Sequence, residues 1–275
     1  MPAYDPTIYL GAAEHYARGR PPYSRSLPAV LADELRLDGL GRLLDVGCGP
    51  GVLTLQLAGW FEEAIGLDPD AGMLVEAARR AAGAGIDGIR WVRALAEDIP
   101  TLGLGSFRLV TFGQSFHWTD RERVAEAVYD ILEPGGAMAL VEHQHDGRPE
   151  PRGPGQPPIP HDAMRTQIDA YLGPRRRAGQ GFHASRPDPD DRALARTRFG
   201  APHRVYAPGR PDLVQDIDGV LDNYLSMSFA APHLFGDRLE AFRRDVRTAL
   251  EQLSPSGLFW DWPGDTRVDL VRKPG

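Results

Sequence analysis

Residues 43–51 read Leu43-Leu44-Asp45-Val46-Gly47-Cys48-Gly49-Pro50-Gly51. Leu43, Leu44 and Val46 suit a buried strand, and Asp45 stands near its carboxyl end. Glycines at alternate positions let the backbone turn sharply and approach a ligand with no Cβ in the way. The next residues, Val52-Leu53-Thr54-Leu55-Gln56-Leu57-Ala58, have helix-forming character. A strand, a glycine turn and a helix in that order make the nucleotide-binding corner of a doubly wound sheet.

The glycine spacing narrows the ligand. A dinucleotide fingerprint needs glycine or alanine five residues after the first glycine, and this chain has Val52 there. No Lys-Ser/Thr pair follows the turn, which excludes a phosphate-cradling P-loop. A second strand ends in an acid at Ala64-Ile65-Gly66-Leu67-Asp68-Pro69-Asp70. Asp68 stands where such folds set a carboxylate on a ribose diol. A glycine turn and a ribose acid without phosphate chemistry point to an adenosyl ligand.

The LDVGCGPG string resembles the first motif of class I S-adenosylmethionine-dependent methyltransferases, and Asp68 resembles their second. The similarity runs from about residue 4 to residue 136 and resumes near the C-terminus. Looser features are similar to the trans-aconitate methyltransferase group, which methylates a small carboxylic acid. They are Tyr4-Asp5-Pro6-Thr7-Ile8-Tyr9-Leu10, Phe116-His117-Trp118 and a pair of helices before the last strand. The resemblance implies an α/β, doubly wound, Rossmann-like seven-stranded sheet with a terminal antiparallel hairpin and a helical insertion roofing the substrate. It implies S-adenosylmethionine as cofactor.

Composition excludes several classes. Of the 275 residues, 42% are hydrophobic and 25% charged, an ordinary globular balance. A net charge of -7 with no long basic run argues against a nucleic acid held through many phosphates. Cys48 is the only cysteine, so no intramolecular disulfide can form. That suits a reducing, cytoplasmic setting. Neither a signal-peptide pattern nor a membrane-length apolar run is expected. The sequence leaves the oligomeric state open.

One domain over 1–275 is the expected organisation: a lid at 1–23, a cofactor core at 24–142, and substrate-side insertions at 146–200 and 208–262. The first segment, Glu14-His15-Tyr16-Ala17-Arg18-Gly19-Arg20-Pro21-Pro22-Tyr23, is rich in aromatics and arginine. It reads as a lid over the cofactor or as a surface arm. As a lid, Tyr16 and Arg20 would meet the methionine carboxylate, arginine being suited to bidentate binding. Leu27, Val30, Leu31 and Leu35 then mark a core helix.

Asp70 caps the next helix. Its Met73 reads as packing on the adenine, as the resemblance implies, or as ordinary core. Ile89 to Ala94 is the third strand, and Ala96-Glu97 follow in a turn that borders the adenine in the resembled family. That family has an acid where this chain has Leu95; the Ala96 amide or Glu97 would serve instead. Residues 107–113 are the fourth strand, whose Arg108 replaces a common aspartate at the far end from the site. Thr119 and Glu122 form a capping-box pattern.

The strand-four exit, Gln114-Ser115-Phe116-His117-Trp118, should face cofactor and substrate. His117 is the candidate general base, since imidazole titrates near neutrality; alternatively it lines the pocket or bonds the loop. Glu142-His143-Gln144-His145-Asp146 looks metal-like, but a polar pocket rim is the plainer reading and no metal is expected. Asp146 to Pro160 reads as an extended loop, and Arg175-Arg176-Arg177 as solvated surface rather than a phosphate site. Val214 to Leu225 and Leu239 to Leu253 read as two amphipathic helices, the second with Asp237 as a cap. Thr266 to Arg272 reads as a final edge strand.

The candidate cofactor contacts are thus Tyr16, Arg20, Asp45, Gly47, Cys48, Gly49, Gly51, Asp68, Pro69, Met73, Ala96, Glu97 and Gln114. The candidate substrate contacts are Tyr23, Trp118, His143 and Tyr224. The expected chemistry is methyl transfer to an oxygen or nitrogen of a small-molecule acceptor. A cyclisation or decarboxylation on the same fold, or non-catalytic cofactor binding, stays open, because fold does not fix reaction.

Overall fold

Side chains alternate between two faces of a strand, and here each face feeds a different core. Leu44, Val46, Ile65, Leu67, Val110, Phe112, Met138 and Leu140 enter one apolar cluster with the helix at Arg121–Ile131. Leu43, Ala64, Leu109, Ala137, Ala139 and Val141 enter the other, with helices Leu27–Leu35 and Val52–Leu57. A sheet apolar on both faces must be covered on both, which yields three layers. The computed structural model describes residue 5 and residues 7–144, 152–153, 155–178, 181–182 and 189–275.

The large sheet has seven strands. They are β1 (Arg42–Val46), β2 (Glu63–Asp68), β3 (Ile89–Arg93), β4 (Phe107–Gly113), β5 (Leu132–Gln144), β6 (His203–Ala207) and β7 (Asp265–Arg272). In these labels their order is β3-β2-β1-β4-β5-β7-β6. The first five are parallel, and β7 runs antiparallel to both neighbours. The final strand is therefore not the edge: β7 pairs β5 from Asp265↔Gln144 to Arg272↔Ala137 and β6 on its other side. The reason is topological. β6 precedes β7 in the chain but takes the outer position, where its largely exposed residues are tolerated.

The helices are α1 (Ala13–Gly19), α2 (Leu27–Leu35), α3 (Val52–Leu57), α4 (Ala71–Gly83), α5 (Arg121–Ile131), α6 (His161–Leu172), α7 (Asp190–Leu194), α8 (Ile217–Leu225) and α9 (Leu239–Leu253). Asp70 caps α4 by accepting from the Gly72 and Met73 amides at 2.7 and 3.2 Å. Asp70→Ala is expected to cost about 1 kcal/mol, the usual worth of such a cap, read as a lowered thermal midpoint. An unchanged midpoint would leave the cap without energetic weight.

Three local expectations change. The cap of α5 is Asp120, not Thr119, whose hydroxyl instead donates to the Phe116 carbonyl at 2.8 Å. Val214–Asp216 is a strand, paired antiparallel with Leu258–Trp260, so α8 begins only at Ile217, with Asp216 as cap. Asp237 lies in a short 3-10 turn and makes no capping bond to α9. Arg108 has a structural role: its guanidinium donates to the Arg36 carbonyl at 2.8 Å, holding the end of α2.

Outside the sheet, α6, α8 and α9 share a further core through Met164, Ile168, Val220, Tyr224, Phe242 and Val246. Both insertions contribute to it. Leu194 of α7 does not; it joins the core under α5, and Arg121 ties to Asp190 at 2.8 Å. Of the loop expected from Asp146 to Pro160, residues 146–151 and 154 lie outside the described residues, and Pro158 forms a bridge with Trp260. Among the described residues no helix is long and apolar enough to cross a membrane.

Candidate active site

The glycine turn is shaped by the strands beside it. The Gly47 and Cys48 amides both donate to the Leu67 carbonyl, at 2.7 and 3.0 Å. Gly47 has φ +66°, and a Cβ there would stand 2.5 Å from that of Ser115. Ser115 in turn donates to the Val46 carbonyl at 2.5 Å. Positive φ and close approach together require glycine.

Asp68 closes the turn from the next strand. One carboxylate oxygen accepts the Gly49 amide and the other the Asp70 amide, each at 2.8 Å. A carboxylate offers about four lone-pair sites, so both oxygens keep capacity for a ligand diol. Burial raises the pKa of Asp68 to about 6 despite these amides. Asp45, at the end of β1, is held by the Thr54 and Thr111 hydroxyls at 2.6 and 2.8 Å. Burial pushes its pKa to about 6 as well.

Gly47, Gly49 and Asp68 border a cavity of about 340 Å³ at the carboxyl ends of β1, β2 and β4. Its wall includes Tyr16, Gly47, Gly49, Asp68, Pro69, Met73, Ala96, Glu97, Gln114 and Trp118. A narrower recess continues from it through Tyr16, Gly47 and Gln114 to Arg20, Tyr23, Asp45, Cys48 and His143. Gln114 has φ +58°, a conformation uncommon outside glycine. Its amide donates to the Val141 carbonyl at 3.1 Å.

The recess is closed by the segment after α1. Tyr23 stacks on His143 with ring centroids 5.1 Å apart, and the Ser24 amide donates to the Thr266 hydroxyl at 2.8 Å. The Arg20 guanidinium lies 4.9 Å from the centroid of the Tyr16 ring. It donates to the Ser226 carbonyl at 3.3 Å, while its Nε is buried with no hydrogen-bond partner. Met73 serves two surfaces at once: it lines the cavity and packs with Ala12 and Ala231.

Three candidates stand elsewhere. His117 is not part of either wall. Residues Phe116–Trp118 form one 3-10 turn, whose successive side chains diverge by about 120°. Phe116 enters the core and Trp118 the cavity, and His117 is left between, tilted against Trp118 with centroids 5.2 Å apart. Gly51 caps α3 with φ +74° and faces Trp91 rather than the cavity. Tyr224 lines a different hollow and bonds His161 at 2.7 Å. The Glu97 carboxylate accepts the Asp120 amide at 2.7 Å, so part of its bonding capacity goes to the fold.

Burial pushes the Cys48 thiol well above its ordinary range, which suits a small buried filler. Among the described residues no group of three or more His, Cys, Asp or Glu could hold a metal; His145 and Asp146 lie outside them. The sequence reading assigned no contact to Ile8, Tyr9, Leu95 or Arg123, which also stand on the wall. Tyr9 carried a signal, since it belongs to the aromatic arm. Its ring meets Trp118 edge-on at 6.1 Å.

A glycine turn, a buried acid with spare lone pairs and a part-apolar wall are the features of doubly wound domains that bind an adenosyl cofactor. Residues 43–136 match a family described as "Methyltransferase domain", and over those residues the chain carries an S-adenosylmethionine-dependent methyltransferase domain. The "Probable S-adenosylmethionine-dependent methyltransferase CRG1" of Saccharomyces cerevisiae is 33% identical over 141 residues, 49% of this chain and 47% of that protein. The trans-aconitate 2-methyltransferase of Deinococcus radiodurans is 34% identical over 134 residues, 47% of this chain and 46% of that protein. The chain thus spans about half the length of the curated relatives it matches. The crystal structure of the [4+2]-cyclase SpnF aligns with TM-score 0.55 at 16% identity, covering 98% of this chain and 94% of that one, and shows the fold alone.

The cavity's donors suit S-adenosylmethionine. Asp68 offers acceptors to a diol, Asp45 a buried negative charge to an ammonium, and the Arg20 Nε a buried donor without a partner.

Proposed function

We propose that this chain transfers a methyl group from S-adenosylmethionine to an oxygen or nitrogen of a small molecule, with a carboxylic acid or a secondary metabolite as acceptor. The observation that carries the reading is the buried Asp68, fixed by two backbone amides and facing the cavity beside the glycine turn. When bound, the cofactor supplies an electrophilic methyl carbon on its sulfonium. Asp68 holds the ribose, and Pro69, Met73 and Ala96 border the adenine. Asp45 and Arg20 hold the two charged groups of the methionine end, with Tyr16 spanning both spaces.

The chain's remaining task is positioning and exclusion of water. Tyr9, Tyr16 and Trp118 form an aromatic rim suited to that. Tyr23 and His143 close the recess on the substrate side. A carboxylate acceptor arrives ionised and needs no base, which agrees with His117 standing off the wall. Among relatives, the Deinococcus radiodurans protein is named for a carboxylic-acid substrate. The lone buried thiol suits a reducing cytoplasm.

The test is transfer of label from methyl-labelled S-adenosylmethionine to a panel of small acids, phenols and amines, with products analysed by mass. A product heavier by one methyl group is expected from at least one acid. A product of unchanged mass, or consumption of no acceptor despite cofactor binding, would replace this reading with a rearrangement or a binding role.

A further inference from the structure

A second hollow opens in the helical layer. About 460 Å³ in volume, it is walled by His161 and Arg165 of α6, by Arg176 after that helix, and by Tyr224, Met227 and Phe229. It shares no wall residue with the cofactor cavity or its recess. The two spaces approach each other across residues 224–229, where Arg20 donates to the Ser226 carbonyl.

The charge of this hollow runs against that of the chain. The protein carries a net charge of -7, yet the described wall sets three arginines and a histidine against one carboxylate, Asp169. Neither Arg165 nor Arg176 makes a hydrogen bond or ion pair with a described residue. The Arg176 guanidinium lies over the Phe229 ring, 4.2 Å from its centroid. Stacking fixes the plane of the group and leaves its N–H edge available for a fork-shaped acceptor. Desolvation, then repulsion from Arg165, lowers the pKa of Arg176; Tyr9 opposes this and Arg20 adds to it. Arg176 thus stands within electrostatic reach of two residues that line the cofactor spaces. If Tyr224 donates its hydroxyl to His161 Nδ1, the remaining imidazole N–H is on Nε2.

We propose that this hollow is a subsite for an anionic group, a carboxylate or a phosphate, on the part of the acceptor remote from the methylated atom. Arg165 and Arg176 hold the anion, with His161 as a further donor. Met227 and Phe229 offer apolar surface to the body of the molecule. The anion bound there is not the atom methylated, because the hollow and the cofactor cavity have separate walls. The acceptor is accordingly an elongated molecule with an anionic end. The part of this inference that concerns the acceptor rests on the methyl-transfer reading; anion binding itself does not.

The experiment is calorimetry on the full chain with glutarate and, separately, inorganic phosphate, each with and without S-adenosylhomocysteine. Wild-type protein is expected to bind at least one probe. Arg165→Gln and Arg176→Gln should each weaken that binding about ten-fold, the worth of one charge-assisted hydrogen bond. Both variants should keep wild-type affinity for S-adenosylhomocysteine, which also shows that they are folded. The stronger of the two probes distinguishes carboxylate from phosphate. No binding of either probe to wild type, or equal binding by both variants, overturns the subsite. Failure of S-adenosylhomocysteine to bind wild type would instead overturn the methyl-transfer reading, and the probe titrations without it would still decide the subsite.

Discussion

Binding of S-adenosylhomocysteine is expected to weaken by roughly ten-fold per participating carboxylate between pH 7 and pH 5. Asp45 and Asp68 are each raised by burial to about 6 in the unliganded protein. One unit below its pKa a group is only about one-tenth ionised, and one unit above it is almost fully so. A ligand ammonium beside Asp45 and diol donors on Asp68 favour the charged forms, so binding below pH 6 must expel protons. Affinity therefore falls as pH drops through 6 and levels off above about 7.

Stability of the empty protein should move the other way. A carboxyl whose pKa is higher folded than unfolded binds more protons in the native state over the interval between the two values. These groups therefore remove stability as pH rises from about 4 to 6. The stabilisation gained on adding ligand should grow across the same range. Asp68→Ala should weaken binding by about 10- to 150-fold for each charged hydrogen bond lost, from 1.5–3 kcal/mol apiece. It should also remove Asp68's share of the pH slope. Titration calorimetry from pH 5 to pH 8 reads both effects. Flat affinity across that range, with undiminished binding by Asp68→Ala, would take Asp68 out of the site.

The second large effect is expected from one methyl group at residue 19. The N-terminal arm reaches the cofactor cavity through Tyr9 and Tyr16, and its helix α1 lies against α8. His15 Nδ1 meets the Asp222 carboxylate at 2.8 Å, Arg18 approaches Asp222 at 3.2 Å, and Arg243 reaches His15 Nε2 at 3.2 Å. The helices approach closely enough that a Cβ on Gly19 would lie 2.0 Å from the Asn223 backbone nitrogen. A backbone atom cannot rotate away, so Gly19→Ala must push α1 off α8. Overpacking of this kind costs about 1–3 kcal/mol or more.

The sheet and its cofactor corner do not depend on that contact, so the loss should be local. Limited proteolysis of Gly19→Ala should cut within residues 5–23 much faster than in wild type. Affinity for S-adenosylhomocysteine should fall about ten-fold or more as Tyr9 and Tyr16 leave the wall. In wild type, ligand should slow cleavage of the same segment, as a lid requires. Leu10→Ser is the control, since Leu10 is exposed. Wild-type cleavage and affinity in Gly19→Ala would show that the arm is not clamped to α8. Equal wild-type cleavage with and without ligand would reduce it to a surface arm.

Much of the cofactor corner was legible in the chain because its signals are local. A glycine that must take positive φ, as at Gly47, and an acid two residues before a helix cap, as at Asp68 and Asp70, are set by backbone chemistry within a few residues. The strand, glycine turn and helix that follow one another over residues 43–58 are equally local, and that order pointed to the doubly wound sheet. Tertiary structure alone decided what depends on partners far along the chain. β7 became an interior strand because β6, some sixty residues earlier, took the edge. Val214–Asp216 left its helical pattern because Leu258–Trp260 offered a pairing edge. The 3-10 turn at Phe116–Trp118 sent Trp118, and not His117, to the cavity. Tyr224 was drawn to His161 on α6, away from the cavity beside the glycine turn. Arg165 and Arg176 of one insertion came to face Tyr224, Met227 and Phe229 of the other, a juxtaposition that no local spacing encodes. Local sequence sets φ, ψ and the side-chain period, whereas the cavity a side chain faces is set by contacts between segments distant in the chain.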